Sequence, residues 1–310
     1  MSYLHRSPAH IGTATFGLAF CILGCGTTLA AEAPVRTSPT SVLPVHDAYP
    51  HVSHDGRVVF QSNRVSGSKL FVAQLDGNDL RQLTAGSGDD ATPKWSPDGA
   101  SVVFASDRDG NEDVWIVKAD GTGARNLTNN PASDSHPSWS PDGRQVVFCS
   151  TRGDGENDDI YTINVDGSGL RRLTDNGLNW DTFPSFSPDG SKILFRRLLR
   201  QRTKEGTLFN SEIMVMNSDG SSTVNLTRDA FFDGWPAWSP DGRQIAFSSN
   251  RSDPYQIYVM NADGSAPTRI VDSPYTDVRP QWLPDGAGLI FNREHDDRIE
   301  IWQVRIQRPN

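Results

Sequence analysis

The 310-residue sequence predicts an all-β fold: a six-bladed β-propeller of four-stranded antiparallel blades, its ring closed by an N-terminal strand. Three observations predict it. The pentapeptide Trp139–Gly143, Trp-Ser-Pro-Asp-Gly, recurs letter for letter at Trp95–Gly99 and Trp238–Gly242. One residue changes at Phe186–Gly190 and at Trp282–Gly286, and Val52–Gly56 keeps Ser, Asp and Gly. The closing glycines Gly56, Gly99, Gly143, Gly190, Gly242 and Gly286 are spaced by 43, 44, 47, 52 and 44 residues, a period that marks propeller or solenoid arrays. No long window carries helical periodicity, whereas each unit holds four short β-rich runs broken by Gly, Pro, Asn and Asp.

The chain begins with a segment to be excluded from the fold. Residues 11–24 form an apolar stretch of 14, too short to span a bilayer as a helix. It follows Arg6 and precedes the small residues Thr27–Ala31, so residues 1–31 read as a secretory signal peptide. Two processing routes stay open. One is cleavage after Ala30 or Ala31; the other is lipidation at Cys25, since Ile22-Leu23-Gly24-Cys25 resembles a bacterial lipoprotein box. Only the second would tie the protein to a membrane, and both place it outside the cytoplasm, in the periplasm or another extracytoplasmic space. Beyond Cys21 and Cys25 only Cys149 remains, so the processed body has no intrachain disulfide and Cys149 reads as a small buried hydrophobe. The formal charge is -9, and it becomes about -10 once the leader and its Arg6 are removed (38 acidic against 28 basic residues). That balance argues against a nucleic-acid partner, because phosphate binding needs a basic face.

Residues 32–46, with three prolines, read as a closing strand and linker ahead of a propeller over 47–310. Each unit opens on Asp-x-x-Pro: Asp47, Asp90, Asp134, Asp181, Asp233 and Asp277 begin the six copies. A short strand leads into the Pro-Asp-Gly turn, whose glycine supplies the positive φ that tight hairpins need. The second strands, Val58–Phe60, Val102–Phe104, Val146–Phe148, Ile193–Phe195, Ile245–Phe247 and Leu289–Phe291, are apolar at consecutive positions. That pattern suits a sheet covered on both faces, as a blade is by its neighbours. A third run, an Asp-Gly turn and a short last strand complete five units, the last strand ending in Leu-Thr in four of them and in Ile270-Val271 in the fifth. The sixth stops at Ile301–Ile306 with only four residues left. Its outer strand must come from the other end of the chain, within Val35–Leu43, since an open ring would expose sheet edges.

The repeat Asp-x-x-Pro-x-Trp-Ser-Pro-Asp-Gly, followed by Ser-x-Arg, an apolar strand, Asp-Gly and Leu-Thr, resembles that of the TolB-type six-bladed propellers. The likeness covers residues 47–306 and the propeller alone, without the N-terminal α/β domain that TolB carries. It implies a non-catalytic, extracytoplasmic scaffold, monomeric and without a cofactor. Its partners would be envelope proteins, as in the Tol–Pal system.

Alternating strand direction sorts the loops onto two rims. The Pro-Asp-Gly and Asp-Gly turns share one; the Asp-x-x-Pro entries and the turns between second and third strands share the other. On that second rim Arg64, Arg108, Arg152 and Arg251 follow a strand phenylalanine by four residues, and each is expected beside Asp47, Asp90, Asp134 or Asp233. These are expected to be partly exposed structural pairs worth about 0–1 kcal/mol each; a charged ring at the channel mouth is the functional alternative. Leu199 and His295 stand at the corresponding places of units four and six, which leaves the pattern open. Unit four also carries an insertion of about eight residues within 196–210, rich in bases. Arg197, Arg200, Arg202 and Lys204 in that arm, with Trp180, Phe231, Phe232, Trp235 and Tyr275 on the entry loops, are the candidate partner-binding residues. Phe183 belongs to the same aromatic group, and the bland reading of these rings is a channel plug.

Asp107-x-Asp109-Gly-Asn111-x-Asp113 has the spacing of a calcium-loop start, but Gly stands fourth and no Glu follows at position twelve. It reads as a solvated hairpin tip, and no metal site is expected. No Gly-x-Ser-x-Gly elbow occurs. The competing reading is a propeller enzyme, lactonase-like or polysaccharide lyase-like, whose metal ligands are scattered through the sequence.

Overall fold

The computed structural model describes residues 30–37, 45–153, 155–175, 177, 179–203 and 206–307. Most of the expected leader, including Cys21 and Cys25, lies outside these residues, as does Lys204. The described chain holds strands and turns without a helix, arranged as six antiparallel sheets. Blade 1 runs outward from the axis as Asp47–Val52, Arg57–Ser62, Lys69–Gln74 and Arg81–Gln82, and the order repeats through blade 6.

The consecutive apolar residues of the middle strands make the core. Phe60, Phe104, Phe148, Phe195, Phe247 and Phe291 are all fully buried. The core divides into six clusters, each shared by adjacent blades. One joins Val59, Leu70 and Val72 of blade 1 to Trp95, Phe104 and Trp115 of blade 2. Another joins Phe60 and Phe71 of blade 1 to Leu283, Ile290 and Ile301 of blade 6. Both faces of every sheet are therefore covered, which explains why the middle strands do not alternate apolar with polar residues.

The outer strand of blade 6 comes from the N-terminal end, in two pieces. Val35 and Arg36 pair with Gln303 and Trp302, and Ala30 and Ala31 pair with Gln307 and Ile306. The Arg36 guanidinium lies 3.1 Å from Glu300. The pairing thus starts five residues before the expected strand, within the last two residues of the expected leader, and residues 38–44 lie outside the described chain.

The ion pairs are complete in all six blades, which corrects the open pattern expected from the sequence. Arg64, Arg108, Arg152 and Arg251 reach Asp47, Asp90, Asp134 and Asp233 at 2.5–2.9 Å. In blade 4 Arg197 takes the role with Asp181 at 2.7 Å, and in blade 6 Arg293 takes it with Asp277 at 2.8 Å. These two stand two residues after the strand phenylalanine instead of four, and each binds its aspartate through both Nε and Nη2. The aspartate side chains are 0% exposed and the arginines only 7–16%. Each guanidinium also lies over its blade's buried phenylalanine, 5.3–5.7 Å from the ring centroid. The expectation of partly exposed, weakly contributing pairs is wrong, because the carboxylates are wholly desolvated. Breaking such a pair leaves a buried charge, at a cost of about 3–5 kcal/mol.

The innermost strands carry the second repeated device. Each loses register inside Asp-x-x-Pro, between Ala48 and His51 in blade 1 and at the equivalent step in the other five. At each bulge the residue before proline has positive φ: Tyr49 53°, Thr92 49°, His136 50°, Phe183 55°, Trp235 51° and Arg279 58°. A non-glycine residue held there stores strain of order 1–3 kcal/mol. The preceding blade supplies acceptors for amides that the bulge removes from the ladder. The Tyr49 amide donates to Asn292 Oδ1, Thr92 to Gln61 Oε1 and Arg279 to Ser248 Oγ, at 3.0–3.1 Å. The Cys149 thiol lies 3.2 Å from both the Ser135 hydroxyl and His136 Nδ1, so this buried cysteine does more than fill space.

Two outcomes follow. In urea denaturation Arg152→Leu should lose about 3–5 kcal/mol, and the Arg152→Leu/Asp134→Leu double variant less than the two single changes together; additive losses would contradict the coupling. A chain beginning at Val45, without either closing segment, should lose its single cooperative thermal transition; an unchanged melting curve would contradict closure.

Candidate functional site

The strained residues are also the ones that meet on the axis. Tyr49, Thr92, His136, Phe183, Trp235 and Arg279 all line one cavity of about 540 Å³. It runs from their level to the prolines of the Pro-Asp-Gly turns: Pro97, Pro141, Pro188, Pro240 and Pro284. The floor is aromatic. Phe183 lies 6.3 Å from Tyr49 of the opposite blade, 3.9 Å from His136 and 6.1 Å from Trp235, between ring centroids. The Arg196 guanidinium lies 5.0 Å from the Phe183 centroid and that of Arg279 4.8 Å from Tyr49, so cations cover the plug. Above the plug stand His51, Lys94, Ser138, Ser185, Ala237 and Gln281, each the residue after the repeat's Asp-x-x-Pro. The motif tryptophans form the wall, and Trp139 and Trp282 donate from Nε1 to the Lys94 and Ala237 carbonyls of the preceding blade, both at 3.2 Å.

The electrostatics of this funnel oppose those of the whole chain. Among the described residues that line it there is no Asp or Glu, whereas Lys94, Arg279, His51, His54 and His136 are all present. Lys94 Nζ reaches Gln281 Oε1 at 2.7 Å, bridging blades 2 and 6, and has no carboxylate within ion-pair distance among the described residues. Burial lowers its ammonium to about 7. His51 accepts the Trp95 amide on Nδ1 at 3.0 Å, and burial, with Lys94 and His54 beside it, holds it well below the usual imidazole range. Burial, with Arg196 and Arg279, lowers His136 to about 3. Both rings are therefore neutral at physiological pH. Beyond the plug, burial raises the Asp158 carboxyl to about 6.

The residues singled out in the sequence separate into groups. Arg197 leaves the basic arm for the ring of buried pairs. Trp235 leaves the rim for the funnel, and contacts Tyr255, which touches Phe232, at centroid distances of 6.3 and 6.4 Å. The arm itself is a β-hairpin of Lys192–Thr203 and Gly206–Asn217. Arg200 lies 5.8 Å over Trp180, and Trp180 lies 6.1 Å from the exposed Phe209. Arg202 pairs opposite Thr207 in the hairpin. Phe231 is exposed beneath Arg251, and Tyr275 packs on His295 at 5.2 Å. The single surface expected on the second rim is thus several pieces, and the cavity opens on the first.

Sequence reasoning missed Tyr49, Thr92, His136, Arg279, Lys94 and Gln281. A signal was available: the position before the Asp-x-x-Pro proline holds six different residue types in a chain that otherwise repeats itself. The Asp107 loop is engaged internally. Asp107 accepts the Asp89 amide, Asn111 donates to the Asn130 and Ala132 carbonyls, and Asp113 accepts from Asn126, Thr128 and Asn130. Among the described residues no three His, Cys, Asp or Glu side chains gather where one metal ion could be held.

Comparison with known proteins agrees with this architecture. A model described as the TolB beta propeller domain matches residues 129–197 and 196–310, and one described as the Tricorn protease N-terminal beta propeller domain matches residues 45–158. A putative TolB from Agrobacterium tumefaciens is similar at 25% identity and a TM-score of 0.64, over 86% of this chain and 92% of that one. TolB from Acinetobacter baumannii is similar at 20% identity and 0.60, over 74% of this chain and 55% of that one. An oligogalacturonate lyase from Vibrio parahaemolyticus shares the fold at 14% identity and 0.60, over 90% and 97%. With more than half of its length matched by the first model, the chain belongs to the TolB beta-propeller family.

Proposed function

We propose that the protein is a non-catalytic, extracytoplasmic scaffold that binds a protein partner in the axial funnel on its Pro-Asp-Gly face. One observation carries this reading. Six unlike side chains, each on strained backbone, converge on a cavity of about 540 Å³. Backbone strain held at a position with six different residue types points to a site and not to the scaffold. The volume falls in the range of ligand pockets, which runs from roughly 300 to 1,000 Å³. The proline and aromatic surface of the lining suits apolar side chains of a partner segment, and the serines, histidines, Lys94 and Gln281 among it offer polar contacts. The family supports an envelope partner and a periplasmic location.

The enzymatic alternative draws on Lys94, since an amine held at about 7 can serve as a general base. Its metal-dependent form needs ligands, and the three lining histidines are not grouped around one point. Stoichiometric calcium or manganese in the purified protein would favour that alternative.

Lys94 is costly to the fold if the funnel exists for binding. Its folded value, about 7 against an ordinary 10.5, means that the unfolded chain holds more protons between those values. Its penalty is therefore full below pH 7 and fades as pH rises towards 10.5. Lys94→Met should raise Tm by roughly 2–5 °C at pH 6 and by less at pH 9.5 in calorimetry; a pH-independent change would contradict the assignment.

Cross-linking in the native host, read by mass spectrometry, tests the binding site. Wild type should capture envelope protein partners, and Ser185→Trp, which fills the funnel, should lose them. Arg200→Glu/Arg202→Glu/Lys204→Glu should retain them. Partners kept by Ser185→Trp and lost by the arm variant would move the site to the hairpin.

A further inference from the structure

We infer that the segment received by the funnel is acidic and that Lys94 selects its carboxylate, an inference that rests on the reading of the funnel as the partner site. In a chain with 38 acidic and 29 basic residues, the axial cavity is lined without a single acid among the described residues. Its ammonium is held in place by an amide oxygen, Gln281 Oε1, which orients the charge without neutralising it. Arg279, by contrast, is already paired with Glu294 at 2.6 Å and lies against Tyr49 and Trp235 as part of the floor. Lys94 is therefore the lining cation left to meet an incoming charge. A desolvated ammonium with no counter-ion is unfavourable until an anion arrives, and the arriving carboxylate restores the pair.

The rest of the lining favours a peptide as the source of that carboxylate. Nine prolines and five tryptophans make up much of the wall, and no Asp, Glu or Asn is among the described lining residues. An oligosaccharide carries a hydroxyl on most of its carbons, and the described lining offers those groups no carboxylate and a single side-chain amide, Gln281, whose oxygen already holds Lys94. Apolar side chains flanking one or two carboxylates find both things they need, aromatic surface and a single oriented charge.

The five lining tryptophans provide the readout. Intrinsic fluorescence of the folded protein is titrated with the capped peptide acetyl-Leu-Glu-Phe-Glu-Leu-amide, with its Gln twin, and with trigalacturonate. Wild type should bind the acidic peptide at least tenfold more tightly than the Gln twin. Lys94→Met and Lys94→Gln, both checked for an intact thermal transition, should reduce that ratio to about one. Equal binding of the two peptides by wild type, or a ratio that survives both substitutions, overturns the inference. So does a Lys94-dependent response to trigalacturonate with none to the acidic peptide, which would assign the carboxylate to a glycan. Envelope cross-linking by wild type, scored in parallel, separates the two levels. Partners captured without charge discrimination refute the carboxylate selection and leave the scaffold reading intact, whereas no captured partner refutes the scaffold reading itself.

Discussion

A wholly desolvated aspartate at the head of each innermost strand is the constraint on which this propeller depends. An arginine from the second strand, or from the turn after it, neutralises that charge while lying over the blade's buried phenylalanine. The contact fastens three things at once: the entry of the innermost strand, the end of the second strand and the centre of the blade core. Two residues after the aspartate the strand bulges, and the residue before proline is driven to positive φ. The anchored head makes that strain sustainable, since a bulge on a loose strand would relax.

From this arrangement comes a division of labour inside the repeat. Asp, Pro, Trp, Ser and Gly recur because each meets the same local demand in every blade: a buried charge, a fixed φ, an interblade wall, a turn cap and a left-handed turn. The residues beside them on the axis meet no shared demand, and they differ from blade to blade. His51, Lys94 and Gln281 make one side of the funnel polar, whereas Ser138, Ser185 and Ala237 leave the facing side small. An asymmetric site is thereby built on a symmetric frame, and its ammonium is tolerated because the frame is overdetermined.

Part of this was legible in the chain and part was not. The six ion pairs illustrate the boundary. Four arginines keep a constant offset from their phenylalanine, so counting residues was enough to pair Arg64 with Asp47. Arg197 and Arg293 lie two residues closer, and only the strand register places Arg197 opposite Asp181 and Arg293 opposite Asp277. Arg197 was consequently read as part of a free basic arm. Trp235 was read as a rim residue for a similar reason, because a strand drawn without its bulge sends that side chain the other way.

Blade number, strand order and closure by the chain's own N-terminal segment were determined by the sequence alone, because they follow from a local pattern written six times and cut short once. What lies in the channel was decided only by tertiary structure. Lys94 and Gln281 are 187 positions apart, and Tyr49 and Phe183 face each other from opposite blades. No local rule links such residues. They meet because the ring closes, and their partners are set by the sum of six blade rotations instead of by any spacing along the chain.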